Sequence, residues 1–222
     1  MSPCGLAITE RFKAEGAIMN LGMGYSVVGN KKAVDWAVAS VLDEYGRIDV
    51  VVHNNNEVIP VGLEDCDDEA FDWALELNFK SAFLFAQAAG RAMKENGSGN
   101  FVFISSIHDE KPNGAAFAYS VAKGALKMLV KEMVLDFGPY GIRANIVNMG
   151  PMEWDEERFA SGLSPLYEHT KERIVNMRYC TLEEVANAAL FFTSDDCPSA
   201  NGASLTLDGG FLLSYFSGRK IK

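Results

Sequence analysis

The chain has 222 residues and a mass of 24.3 kDa, which fits one domain, and 48% of its residues are hydrophobic, enough for a sizeable core. Its net charge of −10 and isoelectric point of about 4.8 argue against a nucleic-acid or anionic-membrane surface, because phosphate groups would be repelled. Four widely spaced cysteines and only three histidines suggest neither a zinc site nor a disulfide framework. Because neither a signal-peptide pattern nor a membrane-length apolar run is seen, we expect a cytoplasmic protein with no membrane partner.

Helix-like and strand-like hydrophobic patterns alternate along the chain, which predicts an α/β fold with a parallel sheet. Caps and helix-ending glycines set several of the boundaries. The elements predicted for the first part are a helix with Ser2 as its cap and Pro3 at its first position, a strand over Ala17–Leu21, a helix over Lys31–Tyr45 capped by Asn30 and ended by Gly46, and a buried strand over Ile48–Val52.

The acidic run Glu64–Glu69 precedes a helix predicted over Ala70–Ala89, and its carboxylates suit a helix N-terminus better than a metal site. The hydrophobic pattern and a capping box then set the rest of the fold. The remaining elements are a strand over Asn100–Ser105, a helix over Ala116–Phe137, a strand over Ile142–Val147, a helix over Val185–Phe192 begun by Thr181–Glu184, and a last strand over Ser204–Leu207.

Two residues on the helix predicted over Ala116–Phe137 indicate proton-transfer chemistry. Tyr119 and Lys123 are four residues apart, so they lie on one helix face about one turn apart. An ammonium held near a phenol favours the phenolate, which suits Tyr119 to exchange a proton with a substrate oxygen near neutral pH. The Tyr-x-x-x-Lys spacing is weak alone, but Ser106 ends a hydrophobic strand thirteen residues before the tyrosine and strengthens the assignment.

This arrangement resembles the active site of the short-chain dehydrogenase/reductase family. Asn78 falls where that family has a helix asparagine. The resemblance therefore implies a catalytic tetrad of Asn78, Ser106, Tyr119 and Lys123. By analogy, Tyr119 is the general acid/base, Ser106 hydrogen-bonds the substrate oxygen, Lys123 lowers the pKa of the phenol and binds the nicotinamide ribose, and Asn78 holds a relay water. The resemblance also implies a Rossmann-like, doubly wound parallel sheet in a single domain, with NAD or NADP as cofactor.

The resemblance runs from about Lys31 to Gly210 and is closest to glucose dehydrogenases in the loop Ser105–Pro112. His108 and Glu110 in that loop are candidates for touching a polar substrate, although the polarity of an exposed loop explains them better. Within the single domain we assign a degenerate nucleotide-binding part to residues 1–60, a catalytic part to 61–150, a substrate lid to 151–180, and the C-terminal helix, last strand and tail to 181–222.

The nucleotide-binding half departs from the family pattern. The family opens with a strand and a glycine-rich loop, whereas this sequence begins inside that motif and keeps only Gly5 of its glycines. Pro3 stands where a glycine is expected and has no backbone N–H. The family's Asn-Asn-Ala-Gly reads His53-Asn-Asn-Asn56 here. The cofactor-binding residues implied by the resemblance are Gly5, Asn54, Tyr119, Lys123, Gly150 and Met152.

Strands over Ala17–Leu21 and Tyr25–Val28 would be parallel neighbours in the family's sheet, but only Gly22–Gly24 lies between them. A parallel crossover needs roughly a dozen residues, so one crossover helix is missing, as is the first strand. The acidic residue that would bind the adenosine ribose is absent as well. We therefore expect either a jump in the chain near residues 21–25, or a native-like half-site with residues absent from the sequence.

The favoured interpretation is an NAD(P)-dependent oxidoreductase that interconverts a secondary alcohol and a ketone. Its partners would be a small-molecule substrate and copies of itself, in a homotetramer or dimer. The resemblance implies this assembly because the family's equivalent of Ala116–Phe137 packs against the same helix of a second copy. The apolar tail Phe211–Phe216 is a further surface that a monomer would have to expose or fold back. One alternative is a cofactor-independent lyase resembling halohydrin dehalogenases, which carry Arg where this chain has Lys123. Another is a non-catalytic subunit that keeps the fold as an interaction surface.

Overall fold

The computed structural model describes residues 2–20, 29–155 and 170–214. Within these ranges the strands form one parallel sheet in the order β1-β2-β3-β4. The strands are β1 (Val50–His53), β2 (Gly99–Ser106), β3 (Ile142–Met149) and β4 (Ser204–Leu207). The helices are α1 (Pro3–Ala14), α2 (Lys31–Tyr45), α3 (Asp68–Leu75), α4 (Ser81–Asn96), α5 (Phe117–Phe137), α6 (Thr170–Arg173) and α7 (Leu182–Thr193). The predicted α/β fold with a parallel sheet is confirmed.

Helices cover both faces of the sheet, as the doubly wound arrangement requires. Because side chains alternate along a strand, β2 sends Val102 and Ile104 to the face under α1 and α7, and Phe101 and Phe103 to the face under α4 and α5. All four are buried. Burial on both faces explains why the central strands have nearly continuous apolar sequences. The carboxyl ends of the strands lie at one edge of the sheet, where the candidate site is found.

The capping residues predicted from the sequence begin and end their helices. Ser2 Oγ accepts a hydrogen bond from the third residue of α1, and Asn30 Oδ1 does the same for α2. Gly46 ends α2 with a φ of 76°, in the left-handed region that glycine adopts without strain. Thr181 and Glu184 form the reciprocal hydrogen bonds of a capping box at α7.

The helix predicted over Ala70–Ala89 is longer and less regular than expected. It begins at Asp68, capped by Asp67 with acidic residues in its first turn, and ends at Asn96. Between α3 and α4 the backbone forms a π turn over Glu76–Lys80, which contains Asn78. Such π segments are frequent at functional sites.

The strand predicted over Ala17–Leu21 is wrong for its described residues, 17–20, which form no strand. A strand needs a hydrogen-bonding neighbour, and the described sheet ends at β1. Ile18 is instead 76% exposed, while Met19 packs against the core under α1 and α7. Outside the described residues lie the second strand of this pair, the chain junction near residues 21–25, residues 156–169 of the substrate lid and the last residues of the apolar tail.

Candidate active site

Three of the four tetrad residues lie at the carboxyl edge of the sheet. Ser106 is the last residue of β2, and Tyr119 is in the first turn of α5, where it is only 3% exposed. Lys123 follows one turn later and is fully buried, with Nζ 5.3 Å from the centre of the Tyr119 ring. The predicted Tyr–Lys pairing on one helix face is therefore present in the fold.

Lys123 is held by backbone carbonyl groups. Its Nζ donates to the carbonyl oxygen of Asn55 at 2.8 Å, with a longer contact of 3.5 Å to that of Ile104. Burial lowers the pKa of Lys123 to about 7, and the nearby charge of Asp109 opposes this shift. A lysine with this pKa changes its charge near neutral pH.

The loop after β1 supplies contacts that the sequence did not reveal. The hydroxyl of Tyr119 donates to Asn56 Oδ1 at 3.3 Å, and Asn56 Nδ2 donates to the carbonyl oxygen of Ile104 at 3.2 Å. Asn55 Nδ2 contacts the carbonyl oxygen of Leu77 and the hydroxyl of Ser81, which anchors the loop to the start of α4. Three successive asparagines after a buried strand were the available signal for these roles.

His53 ends β1 beside this loop and is fully buried. Its Nε2 lies 2.8 Å from the hydroxyl oxygen of Ser81, which itself donates to the carbonyl oxygen of Leu77. Because a hydroxyl has one hydrogen, the imidazole must donate to Ser81, and its Nδ1 is left as a buried acceptor with no partner among the described residues. Burial, with the charge of Lys123, lowers the pKa of His53 to about 3, so this imidazole is neutral at neutral pH.

The side chain of Asn78 faces the loop after β1. Its Oδ1 accepts from the N–H of Glu57, and its Nδ2 donates to the carbonyl oxygens of Glu57 and Ala74, each at 3.0 Å. These bonds use both N–H groups of the amide and fix the loop that carries Asn55 and Asn56. The predicted role of Asn78 in holding a relay water stays a prediction.

The two candidate substrate-contacting residues of the loop after β2, His108 and Glu110, point to different places. The ring of His108 lies edge-on to that of Tyr119 with 5.4 Å between centroids, and its Nδ1 is 3.0 Å from Ser120 Oγ. Glu110 instead pairs with Lys127 at 2.7 Å on the exposed side of α5. Only His108 is therefore close to the phenol, and burial lowers the pKa of its imidazole.

The candidate cofactor-binding residues outside the tetrad fall into two groups. Gly5 and Asn54 both donate to Ser2 Oγ, which joins the start of α1 to the loop after β1. Gly150 and Met152 lie beyond β3. Gly150 packs so closely on Asp208 that a Cβ would clash, and Met152 is buried in the core. The second group therefore has a packing role in the described fold.

The residues fit the two ends of a dinucleotide unequally. At the catalytic end, a lysine has three N–H groups and Lys123 uses two on the carbonyl groups described above, which leaves one for a ribose hydroxyl. At the other end, Pro3 has no N–H to offer, and the N–H of Gly5 is bonded to Ser2 Oγ at 3.1 Å. The catalytic end fits a nicotinamide ribose, whereas the start of α1 does not provide the usual pyrophosphate cradle.

The fold and the Tyr–Lys pair at the sheet edge define a Rossmann-like oxidoreductase. A family model described as enoyl-(acyl carrier protein) reductase matches residues 25–212. Carbonyl reductase (NADPH) 2 of Sus scrofa is 33% identical over 182 residues, which are 81% of this chain and 75% of that protein. Glucose 1-dehydrogenase 2 of Bacillus subtilis strain 168 is 29% identical over 193 residues, 84% of this chain and 72% of that protein.

Among solved structures, a gluconate 5-dehydrogenase from Burkholderia cenocepacia J2315 in complex with NADP and tartrate is 27% identical, with a TM-score of 0.78. The similarity covers 95% of this chain and 81% of that one. The chain belongs to the short-chain dehydrogenase/reductase family and is an oxidoreductase of that family. In the part of the chain that the structure describes, no helix is long and apolar enough to cross a membrane.

Proposed function

We propose that the protein is an NAD(P)-dependent oxidoreductase that interconverts a secondary alcohol and a ketone, with Tyr119 as general acid/base. The observation that carries this proposal is the fully buried Lys123, one helical turn from Tyr119 at the carboxyl edge of the sheet. The names of the relatives, a carbonyl reductase and a glucose 1-dehydrogenase, agree with alcohol and carbonyl chemistry.

The side chains of the site have distinct tasks in this reaction. The hydroxyl of Tyr119 donates a proton to the carbonyl oxygen during reduction, and its phenolate accepts the proton of the alcohol during oxidation. The positive charge of Lys123 favours that phenolate. Ser106 Oγ accepts a bond from the N–H of His108 at 3.3 Å, so we assign its own hydrogen to the substrate oxygen. The bound nicotinamide would supply or accept the hydride.

We propose that Lys123 and Tyr119 hold the nicotinamide ribose, and that the cofactor is NAD or NADP. The acidic composition and the family resemblance support a cytoplasmic protein that acts on a small molecule as a homotetramer or dimer. The substrate lid over residues 151–180 and the other divisions of the domain stay predictions of the same kind.

The direct test is to measure binding of NADH and NADPH by calorimetry, then turnover on a panel of secondary alcohols and ketones. Tyr119→Phe removes only a hydroxyl and is expected to lower turnover roughly 10²- to 10⁴-fold with the fold unchanged. Tyr140→Phe is the matched control, since Tyr140 is exposed and contacts Lys94 through its ring. Full turnover in Tyr119→Phe would disprove the assignment.

A cofactor-independent lyase is the second candidate, and the start of α1 favours it. The N–H of Gly5 already donates to Ser2 Oγ, and Pro3 has no N–H to donate. Two of the backbone donors that would bind a pyrophosphate at this helix start are therefore not available. Tyr119 and Lys123 would then act on a substrate without a nucleotide. Absence of NADH and NADPH binding, together with activity that depends on Tyr119, would select this function. Absence of nucleotide binding and of any turnover, with Tyr119→Phe indistinguishable from the wild-type protein, would instead select a non-catalytic subunit.

A further inference from the structure

Asn56 contacts the candidate acid/base directly, although the sequence comparison with the family gives glycine at its position. Its Oδ1 accepts a hydrogen bond from the hydroxyl of Tyr119 at 3.3 Å. Its Nδ2 donates to the carbonyl oxygen of Ile104 at 3.2 Å and contacts Asn54 Oδ1 at 3.5 Å. The amide therefore joins the end of β2 to the first turn of α5.

These partners determine which way the amide of Asn56 points. A carbonyl oxygen only accepts hydrogen bonds, so the NH₂ group must face Ile104, and the Oδ1 must face Tyr119. Turning the amide over would place two oxygens against each other at Ile104. Because Oδ1 is an acceptor only, Tyr119 must be the donor, and the hydrogen of the phenol lies on the bond to Asn56.

We propose that Asn56 is a positioning residue that holds Tyr119 in its protonated form and directs its hydroxyl toward the loop after β1. This inference rests on the proposed function of Tyr119. The hydrogen bond exists only while the phenol keeps its proton, and in the phenolate Oδ1 would face a negative oxygen. Asn56 therefore opposes Lys123, whose charge favours the phenolate.

The other titratable groups around the phenol do not explain such an effect near neutral pH. His108, from the turn after β2, and His53, from β1, both have pKa values lowered by burial, so both are neutral. Asp109 acts on the pKa of Lys123, which it raises. Among these described neighbours, Lys123 alone changes charge near pH 7, since burial brings its pKa to about 7.

The backbone gives no separate reason for an asparagine at this position. In the described residues, Met177 is the one non-glycine residue with a positive φ, so Asn56 is not needed for a left-handed turn. The anchoring of the loop to α4 belongs to Asn55 and is untouched by changes at Asn56. Asn56→Ala therefore removes the contact with Tyr119 while the loop keeps its attachment.

The test is an ultraviolet titration of tyrosinate in the protein alone, without nucleotide or substrate. The difference between each variant and its double variant with Tyr119→Phe isolates the titration of Tyr119. Asn56→Ala is expected to lower the midpoint by about 0.5 to 1 pH unit, the effect of losing one neutral hydrogen bond. Asn56→Asp is expected to raise it, because a carboxylate repels the phenolate, and a folding defect would not produce opposite shifts.

Asn187→Ala is the matched control. Asn187 accepts a hydrogen bond from Arg11 at an exposed position on α7, so this substitution is expected to leave the midpoint of the Tyr119 titration unchanged. An unchanged midpoint in Asn56→Ala overturns the inference, whatever happens to turnover. Full turnover in Tyr119→Phe overturns the proposed function instead. Once a substrate is known, the pH profile of kcat in Asn56→Ala should shift in the same direction as the titration, with KM nearly unchanged.

Discussion

At the scale of single residues, the burial of Lys123 links catalysis to stability. The unfolded chain binds the lysine proton up to its ordinary pKa of 10.5, whereas burial lowers the pKa in the folded protein to about 7. Between these values the unfolded state binds more protons, so the free energy of unfolding rises with pH. Below pH 7 both states are protonated, and the burial of the charge costs its full amount.

We therefore predict a pH-dependent difference between the wild-type protein and Lys123→Met. From about pH 7 toward pH 10, the wild-type protein should gain free energy of unfolding relative to the variant by at most about 1.4 kcal/mol per pH unit. Urea unfolding at several pH values measures this difference. Lys131→Met, on the exposed side of the same helix, should follow the wild-type profile. Parallel profiles for Lys123→Met would contradict the assigned pKa.

Asp109 gives a second prediction at this scale. Its side chain is fully buried, its two oxygens accept from Asn148 Nδ2, and its charge raises the pKa of Lys123. Asp109→Asn keeps the shape and removes the charge, so Lys123 should lose its proton at a lower pH. If the pH profile of kcat reports the titration of Lys123, its apparent pKa should be lower in this variant than in the wild-type protein. Glu110→Gln removes a largely exposed charge and should move it little. An equal shift in both variants would argue against a specific effect of Asp109.

At the scale of elements, local signals predicted most of the fold. The strand β4 and the helix α2 begin and end at the predicted residues, α5 begins one residue later than predicted, and β2 is one residue longer at each end. Caps and hydrophobic periodicity act over a few residues, so they can be read from the sequence. The strand over Ala17–Leu21 failed because a strand depends on a distant neighbour, which local pattern does not reveal.

The candidate site shows the same division between local and distant information. Tyr119 and Lys123 are neighbours through helix geometry alone, so their spacing predicted the pair. Asn56 meets Tyr119 across 63 positions of sequence and the carbonyl of Ile104 across 48. No local pattern specifies such contacts, and only the parallel pairing of β1 with β2 brings the asparagine loop to the first turn of α5.

The π turn between α3 and α4 gives a prediction about this loop. The fully buried side chain of Asn78 bonds both backbone groups of Glu57 from the turn, so Asn78→Ala leaves the partly buried N–H and C=O of Glu57 without these partners. We expect a loss of about 1 to 3 kcal/mol in the free energy of unfolding, measured with urea. Asn96→Ala, at the exposed end of α4, should change it by less than about 0.5 kcal/mol. A loss in Asn78→Ala no larger than in this control would show that the loop is held elsewhere.

At the scale of the whole molecule, α5 carries an apolar stripe that faces away from the sheet. Val121, Met128 and Leu135 are seven residues apart, which places them on one side of the helix two turns from each other. They are 40%, 55% and 71% exposed, respectively. Three large apolar side chains in a row on a helix surface indicate a contact with another protein surface. From the family resemblance we propose that this surface is the same helix of a second copy.

We therefore predict that the protein self-associates through α5. In light scattering at micromolar concentration, the wild-type protein should have the mass of a dimer or tetramer. The double variant Met128→Glu, Leu135→Glu should have a lower mass, because two carboxylates at the centre of a helix pair would be buried close to their symmetry mates. Trp36→Glu, at a 60% exposed position on α2, controls for the loss of an exposed apolar side chain and should keep the wild-type mass. A wild-type monomer would contradict self-association, and an unchanged mass in the double variant would place the interface elsewhere.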